Sequence, residues 1–555
     1  MAEQTKRDKL LGRARALKNE RSSWDTHWQE ISDYLLPRSG RFFNTDRNKG
    51  DKRHNNIYDS TSTRALRILA AGMMAGMTSP ARPWFRLTTS VPELDESAAV
   101  KAWLADVTRL MQMVFAKSNT YRALHSMYEE LGAFGTNSSI VLPDYRNVIH
   151  SYALTTGEFC IATDHRGQVN TLYREIEMTV GQMISEFGEK NVSQTVKNLA
   201  DRNSLDSWVP VIQAIEPRAV RDASKRDPKN MAYQSVYIEP GGNDNDVLRE
   251  SGFKEFPALC PRWATAGGDI YGNSPAMEAL GDIKQLQHEQ LRKAQGIDYQ
   301  TKPSLQMPSS MKNREVDSLP GGVTYVDAAA PNGGIKPAWE VNLRLDYLLS
   351  DIQDVRERIK GSFYADLFLM LANGNNGAMT ATEVAERHEE KLLMLGPVLE
   401  RMHNEILDPL IEMTFSRMIE ANIVPPPPQE LQGIELNVEF VSMLAQAQRA
   451  IATNSVDRFV GNIGAVAGIK PEVLDKFDAD RWADAYADML GIDPELIVPG
   501  DKVALIRQQR AEAMQQQAQA EQMAQGAQTA KNLAAADTSQ QNALTDITRN
   551  FSGYT

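Results

Sequence analysis

Cysteine is almost absent from this chain, which has only Cys160 and Cys260 among its 555 residues. Two thiols cannot build the dense disulfide framework that holds small secreted domains together. They are also too few to supply the ligands of a structural zinc cluster. The scarcity of cysteine therefore predicts a protein that folds in a reducing cytoplasm.

Long apolar runs are missing as well. The chain begins Met1-Ala2-Glu3-Gln4, without the apolar core of a signal peptide. Its longest apolar stretch, residues 68–77, is too short to cross a bilayer, which takes about 20 residues. We therefore expect neither export nor membrane insertion.

The common catalytic motifs are also absent. The chain has no G-x-x-x-x-G-K-[ST] phosphate loop, no H-E-x-x-H zinc motif and no glycine fingerprint after a strand. The segment His388-Glu389-Glu390-Lys391 lacks a second histidine at ligand spacing, so a solvated helix face is expected there. The sequence predicts no catalytic residue, no bound metal and no cofactor.

Basic residues are outnumbered, since 60 lysines and arginines face 72 aspartates and glutamates, for a net charge of −12. Tight binding to nucleic acid depends on clustered lysine and arginine. The charge therefore argues against a protein that grips DNA over its whole surface. It does not exclude one past which DNA slides.

Helical and strand patterns divide the remaining sequence. Helical spacing marks residues 5–36, 97–134 and 274–295, and also the Ala, Gly and Met-rich segment after Tyr58-Asp59-Ser60. Short apolar runs separated by turn residues predict strands between about 138 and 265, interrupted by short helices near 179–201. We expect an α+β fold that is mainly helical, with the strands in a small barrel or sandwich.

The stretch from Leu343 to Glu420 organises the chain. A first amphipathic helix is followed by Asn373-Gly374-Asn375-Asn376-Gly377, which has low helix propensity and predicts a loop. Thr380 and Glu383 form a capping box that begins a second helix, about 60 Å long if it runs to Glu420. Pro397 and Pro409 should kink this helix because each removes a backbone donor.

Capping and turn signals define the remaining segments. Ser274 is the predicted N-cap of the helix at 274–295, with Pro275 at the favoured first position. A Pro/Gly-rich insertion follows, and four prolines at 425–428 make a stiff break. The tail from Asp501 is rich in Ala, Gln and Met. Its Gln515-Gln516-Gln517 run could be disordered or form a surface helix, and the composition favours a helix that self-associates in a coiled-coil-like barrel.

This order of parts resembles the portal proteins, or head-to-tail connectors, of short-tailed bacteriophages. The resemblance covers nearly the whole chain. Its best local matches are Tyr58-Asp59-Ser60-Thr61 with the helix that follows through Trp84-Phe85, then Tyr271-Gly272-Asn273-Ser274-Pro275-Ala276-Met277, then Met379-Thr380-Ala381-Thr382-Glu383-Val384. Each match is modest by itself, and their order makes the resemblance specific.

The resemblance implies a portal fold assembled as a ring, usually dodecameric, with a helical stem, a small α/β clip, a strand-rich wing, a helical crown and a C-terminal barrel. The implied divisions are a wing at 1–265, stem helices at 266–297 and 341–365, a clip at 298–340, a tunnel loop at 366–379, a long kinked wing helix at 380–429, a crown at 430–500, and a C-terminal helical barrel and tail at 501–555.

Two groups of residues are expected to face the DNA channel of such a ring. The first is the centre of the tunnel loop: Asn373, Gly374, Asn375, Asn376 and Gly377. The second is a set of stem cations that could form basic rings centring the DNA: Lys284, Arg292, Lys293, Arg344, Arg356 and Lys360. These cations could equally pair with aspartate or glutamate across subunits, and both interpretations stay open.

The resemblance also implies partners and a location. The expected partners are further copies of the chain, the double-stranded DNA in the channel, the terminase large subunit that hydrolyses ATP, a tail adaptor, and the major capsid and scaffolding or internal core proteins. The ring would lie at one capsid vertex of the virion after assembly in the host cytoplasm, and would not be an enzyme.

Two alternatives remain at the sequence level. One is a metal-dependent nuclease whose metal is held by Asp351, Asp354 and Asp366, although these acids alternate with arginine and lysine as on a salt-bridged helix face. The other is a capsid scaffold without an axial passage.

Overall fold

The computed structural model of this chain describes residues 5–42, 55–91, 97–222, 224–225, 227–241, 247–307, 345–372, 395–431, 433–441, 459–468, 470–483 and 500–534, with Leu94, Lys312, Lys336, Pro337 and Val498. The chain divides into two compact units, Met1–Ile451 and Ala452–Thr555. Each unit is described by itself.

The first unit begins with four helices: α1 Lys6–Tyr34, α2 Thr61–Met77, α3 Ala98–Lys117 and α4 Thr120–Phe134. The Thr5 hydroxyl accepts a hydrogen bond from the Asp8 amide and caps α1. The predicted stripe at Trp28, Ile31 and Leu35 is buried. These bounds confirm the helices expected at 5–36 and 97–134 and after Ser60.

The small residues of α2 allow its neighbours to approach closely. A Cβ added to Gly72 would lie only 2.2 Å from the Phe368 ring, and one added to Gly132 of α4 would lie 2.6 Å from Leu69. Both distances are below any real carbon–carbon contact. The packing therefore depends on glycine at these two positions.

The strands of the first unit are β1 Phe85–Thr89, β2 Ser138–Asp144, β3 Val148–Leu154, β4 Phe159–Thr163, β5 Val169–Thr179, β6 Trp208–Pro217, β7 Tyr233–Ile238, β8 Arg249–Phe253, β9 Ala258–Leu259, β10 Leu305–Gln306, β11 Lys336–Pro337 and β12 Leu436–Phe440. An antiparallel sheet of five has the order β4-β5-β6-β7-β8, and a second of three has the order β3-β2-β9. Two helices, α5 Val180–Phe187 and α6 Gln194–Asp201, interrupt the strands where the sequence predicts them.

Helices cover the five-stranded sheet. Leu10, Leu11 and Leu17 of α1 pack on a cluster that includes Tyr173 and Val236. Helices α5 and α6 form a second cluster with Val209 and Val211 of β6. The largest core lies elsewhere and joins the later part of α1, α2 to α4 and the three-stranded sheet with the helices described next.

Two helices, α7 Pro275–Thr301 and α8 Leu345–Ser362, pack together as an antiparallel pair that we call the stem hairpin. The Ser274 hydroxyl accepts a hydrogen bond of 3.1 Å from the Met277 amide, which confirms the predicted cap. Helix α7 continues through Gly296 to Thr301, so the expected end at 295 is six residues short. The side chains of Ile352, Val355 and Ile359 form the buried stripe of α8, as predicted.

A short helix, α9 Ala365–Ala372, follows α8. The chain turns between them at Tyr364, whose φ is +53°. The predicted tunnel loop at 366–379 therefore begins with helical residues. The rest of that loop, the predicted hairpin near Pro320 and the capping box at Thr380 lie outside the described residues.

The long helix predicted before Glu420 is described from Leu395. Residues 395–402 are α-helical (α10), His403–Leu407 form a π-helical turn, and α11 runs from Asp408 to Glu420. Pro409 has no N–H to give the Glu405 carbonyl, and the Asp408 amide donates five residues back to the His403 carbonyl. The predicted irregularity at Pro409 is therefore a π turn. After α11, strand β12 pairs antiparallel with β1, so part of the segment expected in the crown lies in the first unit.

The described part of the second unit is helical. It contains residues 459–467 (α12), a 3-10 turn at Pro471–Lys476, residues 479–483 (α13) and α14 Gly500–Ala534. The Arg507 guanidinium donates to both Asp480 carboxylate oxygens, at 2.5 and 2.6 Å. This confirms the helix predicted from Asp501, and its self-association stays a prediction. A helix with the length and hydropathy needed for a bilayer crossing is not found among the described residues of either unit.

Candidate functional site

Two side-chain contacts between the helices of the stem hairpin define its register. Arg358 Nη1 of α8 lies 3.4 Å from Asp282 Oδ1 of α7. Seven residues away on each helix, the Asp351 carboxyl lies beside the Glu289 carboxyl. Burial, and in addition the neighbouring Asp351 carboxyl, raise the pKa of Glu289. From one contact to the next, the residue number rises by seven on α7 and falls by seven on α8. The two helices are therefore antiparallel and keep one register over this length.

Asp59, just before α2, joins α2 to both stem helices. Its Oδ1 accepts from the Thr61 amide and hydroxyl at 2.8 and 2.5 Å. Its Oδ2 accepts from Arg356 Nη2 of α8 at 2.7 Å and from Gln290 Nε2 of α7 at 3.0 Å. The Gln287 side-chain oxygen accepts from the Asp59 amide at 2.8 Å, while its nitrogen donates to the Asp59 carbonyl at 2.9 Å. We call this set the Asp59 junction.

The charge of Asp59 is stabilised by its partners. Burial alone would raise the pKa of this carboxyl, but the hydrogen bonds from Thr61 and Arg356 outweigh burial and lower it. A buried carboxylate that accepts several hydrogen bonds and faces a guanidinium is a fixed ionic contact rather than a titrating one. The junction therefore holds the start of α2 rigidly against the hairpin.

Three of the predicted channel cations are paired within the chain. Lys284 binds Glu30 of α1, Arg356 binds Asp59, and Lys360 binds Glu357 at 2.8 Å. Among the described residues, Arg292 contacts only the His288 and Gln295 side chains, at 3.4 and 3.2 Å, and Lys293 has no ion pair. Arg344 and the loop Asn373, Gly374, Asn375, Asn376 and Gly377 lie outside the described residues.

The hairpin has an acidic balance. Each of its helices has four carboxylates and three lysines or arginines. Several cations are also neutralised by the contacts above. The solvent side of the hairpin therefore has a small negative balance: Glu278 is exposed without an ion pair among the described residues, while the exposed Asp354 and Glu357 are paired with Arg358 and Lys360.

Helix α9 leads from the hairpin to the predicted loop. Its Leu367 and Phe368 are buried, and Phe368 lies against Gly72 of α2. Helix α9 therefore anchors residue 372 to α2, the helix whose start is held by the Asp59 junction.

The described residues contain no group of three histidine, cysteine, aspartate or glutamate side chains placed to hold a metal ion. Of the acids considered for a nuclease site, Asp351 lies against Glu289, and Asp354 lies 3.4 Å from Arg358 Nε. The structure does not bring Asp351, Asp354 and Asp366 together as a metal site.

Two buried polar contacts were not expected from the sequence. Arg262 donates to Glu405 at 2.6 Å from Nη2 and at 2.7 Å from its amide, which ties the segment after β9 to the π turn. On the same turn the His403 ring stacks on Phe440 of β12, with centroids 4.1 Å apart, and burial lowers the pKa of His403 to about 4. Their only sequence signal is the proline that follows the turn.

Glu130 of α4 is a second buried carboxyl that the sequence did not single out. It accepts from the Thr155 hydroxyl at 2.6 Å, the Thr156 amide at 3.0 Å and the Asn137 amide group at 2.9 Å. Burial is the main cause that raises the pKa of Glu130 to about 7; the hydrogen bonds lower it and Glu158 adds to the rise. This contact connects α4 to the turn between β3 and β4.

Comparison with known proteins adds to this geometry. The family described as bacteriophage head to tail connecting protein matches residues 7–498. The probable portal protein of Bordetella phage BPP-1 is 74% identical over 555 residues, covering 100% of both chains. The portal protein of Salmonella phage epsilon15 is 47% identical over 516 residues, 93% of each chain, and that of Escherichia phage T7 is 22% identical over 285 residues, 49% of each.

Proposed function

The chain belongs to the bacteriophage head to tail connecting protein family, and on that premise we propose how it works as a portal. Copies of the chain close into a ring at one vertex of the capsid, and double-stranded DNA is packaged and ejected along the ring axis. The observation that carries this proposal is the rigid, acidic stem hairpin, anchored to the N-terminal helices through the Asp59 junction.

The role of the protein is structural. In this proposal the hairpin is the stem, the segment between its helices is the clip, and the helices α1 to α4 with the two sheets form the wing. The terminase large subunit docks at the clip and supplies ATP hydrolysis, and a tail adaptor later binds the clip. The major capsid and scaffolding or internal core proteins surround the ring. It is assembled in the host cytoplasm and remains in the virion.

An acidic stem suits a channel whose cargo must move. Tight phosphate binding requires unpaired lysine and arginine, and each such contact resists sliding. Lys284, Arg356 and Lys360 already have carboxylate partners in their own chain, so they are poor candidates for basic rings. Carboxylates along the bore repel DNA weakly and keep it centred.

A rigid stem suits the loads of packaging. The Asp59 junction ties α2, α7 and α8 with five hydrogen bonds to Asp59 side-chain oxygens, two from Thr61, two from Arg356 and one from Gln290. Force applied to the hairpin is passed to the core of the wing through charge-assisted contacts. The tunnel loop, which follows the anchored helix α9, is then the part that narrows the bore.

Ring formation is tested on the purified full-length protein. Native mass spectrometry and negative-stain electron microscopy should show closed rings with an open axis and one dominant subunit number. A chain that stays monomeric over a wide range of protein and salt concentrations would contradict the proposal. Closed shells without an axial passage would instead indicate a scaffold.

The loop is tested by deleting Asn373 to Gly377. Rings should still form, because the hairpin and α9 are unchanged, while the amount of DNA packaged or retained per particle should fall. Full packaging and retention with the deletion would remove the assigned role of the loop. A deletion of equal length in the exposed turn at 202–206 serves as the control for general damage.

A further inference from the structure

Two opposite charges on the stem hairpin have no charged partner within the described part of their own chain. Arg292 of α7 contacts only His288 and Gln295, and Asp346 of α8 has no ion pair or hydrogen bond through its side chain. Of the other described stem cations, Lys284, Arg356, Arg358 and Lys360 have carboxylate partners, while the half-buried Lys293 has no ion pair among the described residues. Two unpaired charges of opposite sign on one rigid element need an explanation.

These two charges lie on outward faces of different helices. Arg292 follows the buried Ile283 by nine residues, or two and a half turns, and so lies on the opposite face of α7. Asp346 precedes the buried Val355 by nine residues and lies on the outward face of α8 in the same way. Arg292 and Asp346 therefore lie on different outward sides of the hairpin.

The two charges also lie at nearly the same height on the hairpin. The contacts of Asp282 with Arg358 and of Glu289 with Asp351 set the register. Continued by five residues along α8, this register places Asp346 level with Ala294 of α7. Arg292 is two residues from that level, which is about 3 Å along the helix axis.

Each charge has an exposed apolar neighbour on its own face. Tyr299, which follows Arg292 by two turns, is 57% exposed, and Leu349, one turn after Asp346, is 41% exposed. A rigid aromatic or aliphatic side chain beside a charge is typical of the contact surfaces between proteins. We call Arg292 with Tyr299 the basic face and Asp346 with Leu349 the acidic face.

We propose that the basic face of one copy packs against the acidic face of the next copy and that this contact closes the ring. Because two different faces of identical chains meet head to tail, repetition of the contact generates a cyclic assembly. Rotation about an axis parallel to the hairpin leaves heights unchanged, so Arg292 meets Asp346 of the next copy. This inference rests on the proposed ring and deepens it: Arg292 belongs to the subunit contact and not to a basic ring around DNA.

The test is a charge swap in the full-length chain, with ring formation measured by native mass spectrometry at equal protein concentration. Arg292→Asp and Asp346→Arg should each lower the ring fraction at least tenfold, because like charges then face each other at every contact of the ring. The double variant Arg292→Asp/Asp346→Arg should recover at least half of the ring fraction. Lys190→Asp, a reversal at an exposed wing residue, should assemble like the unchanged protein.

A cross-linking experiment keeps the proposal testable if a charge variant fails to fold. The variant Arg292→Cys/Asp346→Cys, treated with a short bismaleimide, should give a ladder of covalent oligomers, while each single cysteine variant should stay at the monomer band. The native Cys160 and Cys260 are buried and do not interfere.

The outcomes separate this contact from the ring itself. Folded single variants that assemble as well as the unchanged protein, a folded double variant without recovery, or a missing ladder would each overturn the proposed contact. If Arg292→Asp forms normal rings that package less DNA, the residue faces the channel instead. Unchanged protein that forms no rings would contradict the proposed function rather than this contact.

Discussion

Charged residues that look alike in the sequence have different roles in the fold. Lys284 and Arg356 occupy exposed-looking positions on amphipathic helices, yet each has a carboxylate partner on another element. Arg292 has the same kind of position and lacks such a partner among the described residues. Partner assignment therefore decides which charges are free for another molecule.

The Asp59 junction is expected to matter for stability. Asp59→Ala removes the buried acceptor of Arg356 and Gln290 and should destabilise the folded chain by about 2–3 kcal/mol, because several donors, among them the half-exposed Arg356 guanidinium, lose that acceptor. The thermal midpoint measured by scanning calorimetry should fall accordingly. Asp106→Ala breaks the exposed pair with Arg109 and is the control, expected to change the midpoint little. Equal effects of the two substitutions would contradict the importance of the junction.

Glu130 should make stability depend on pH. Its pKa is raised from 4.5 to about 7 in the fold, so the folded state holds a proton that the unfolded state releases earlier. Stability from this group is full below about pH 4.5 and is lost as pH rises to about 7. Glu130→Gln should therefore reduce the slope of the thermal midpoint against pH between about pH 4.5 and about 7. The exposed substitution Glu189→Gln should leave the slope unchanged, and an equal slope in the Glu130→Gln variant would contradict the assignment.

At the scale of elements, glycine and proline determine where helices approach and where they deviate. Gly72 lets α9 pack on α2, and Pro409 has no N–H to donate to the Glu405 carbonyl at the π turn. The Glu405 side chain then binds Arg262. Loss of a regular helical hydrogen bond is thus accompanied by a tertiary contact that holds the long helix.

The contact of α2 with α9 can be tested by adding one methyl group. Gly72→Ala adds a Cβ that would overlap with the Phe368 ring. This change should destabilise the chain by about 1–3 kcal/mol. Phe368→Leu should restore part of the loss in the double variant. Gly281→Ala is the matched control in α7, where a Cβ has no atom within 4 Å, and it should be neutral or stabilise by up to about 1 kcal/mol. A thermal midpoint for Gly72→Ala at or above that of the control would contradict the close packing.

At the scale of the whole molecule, the two compact units differ in how they bury surface. The hydrophobic clusters formed by the described residues all lie in the first unit, up to Leu431. Helix α14 of the second unit is exposed at every position whose side chain is described except Val503, which is half-buried. An isolated helix of this kind gains little from burial and becomes ordered best through association with other copies.

The first unit should therefore fold without the second. Residues 1–451, produced alone, should keep near-ultraviolet circular dichroism and a cooperative thermal transition within a few degrees of that of the full chain. The reason is that its cores and the ion pairs of the stem are complete without residues 452–555. An aggregated fragment, or one without a cooperative transition, would contradict the division. The separate segment 452–555 should show helical circular dichroism that increases with its concentration.

The sequence by itself determined the local elements. Helical periodicity placed α1 and α8, and composition placed α14. Alternation and turn residues placed β2 to β5, and Ser274-Pro275 placed the start of α7, because these signals act within one or two turns of chain. The order of those elements also carried the resemblance to portal proteins, which the family match confirms. The end of α7 was wrong by six residues: Gly296 lowers helix propensity, yet the helix continues past it to Thr301.

Only the tertiary structure decided which charged side chains have an ion-pair partner and which do not. Arg356 meets Asp59 across 297 residues of sequence, and Arg262 meets Glu405 across 143. An ion pair depends on which helices pack together and in what register, and no local spacing encodes either property. For the same reason the sequence could name the stem cations as a group. Only the fold showed that Lys284, Arg356 and Lys360 have carboxylate partners and that Arg292 has none among the described residues.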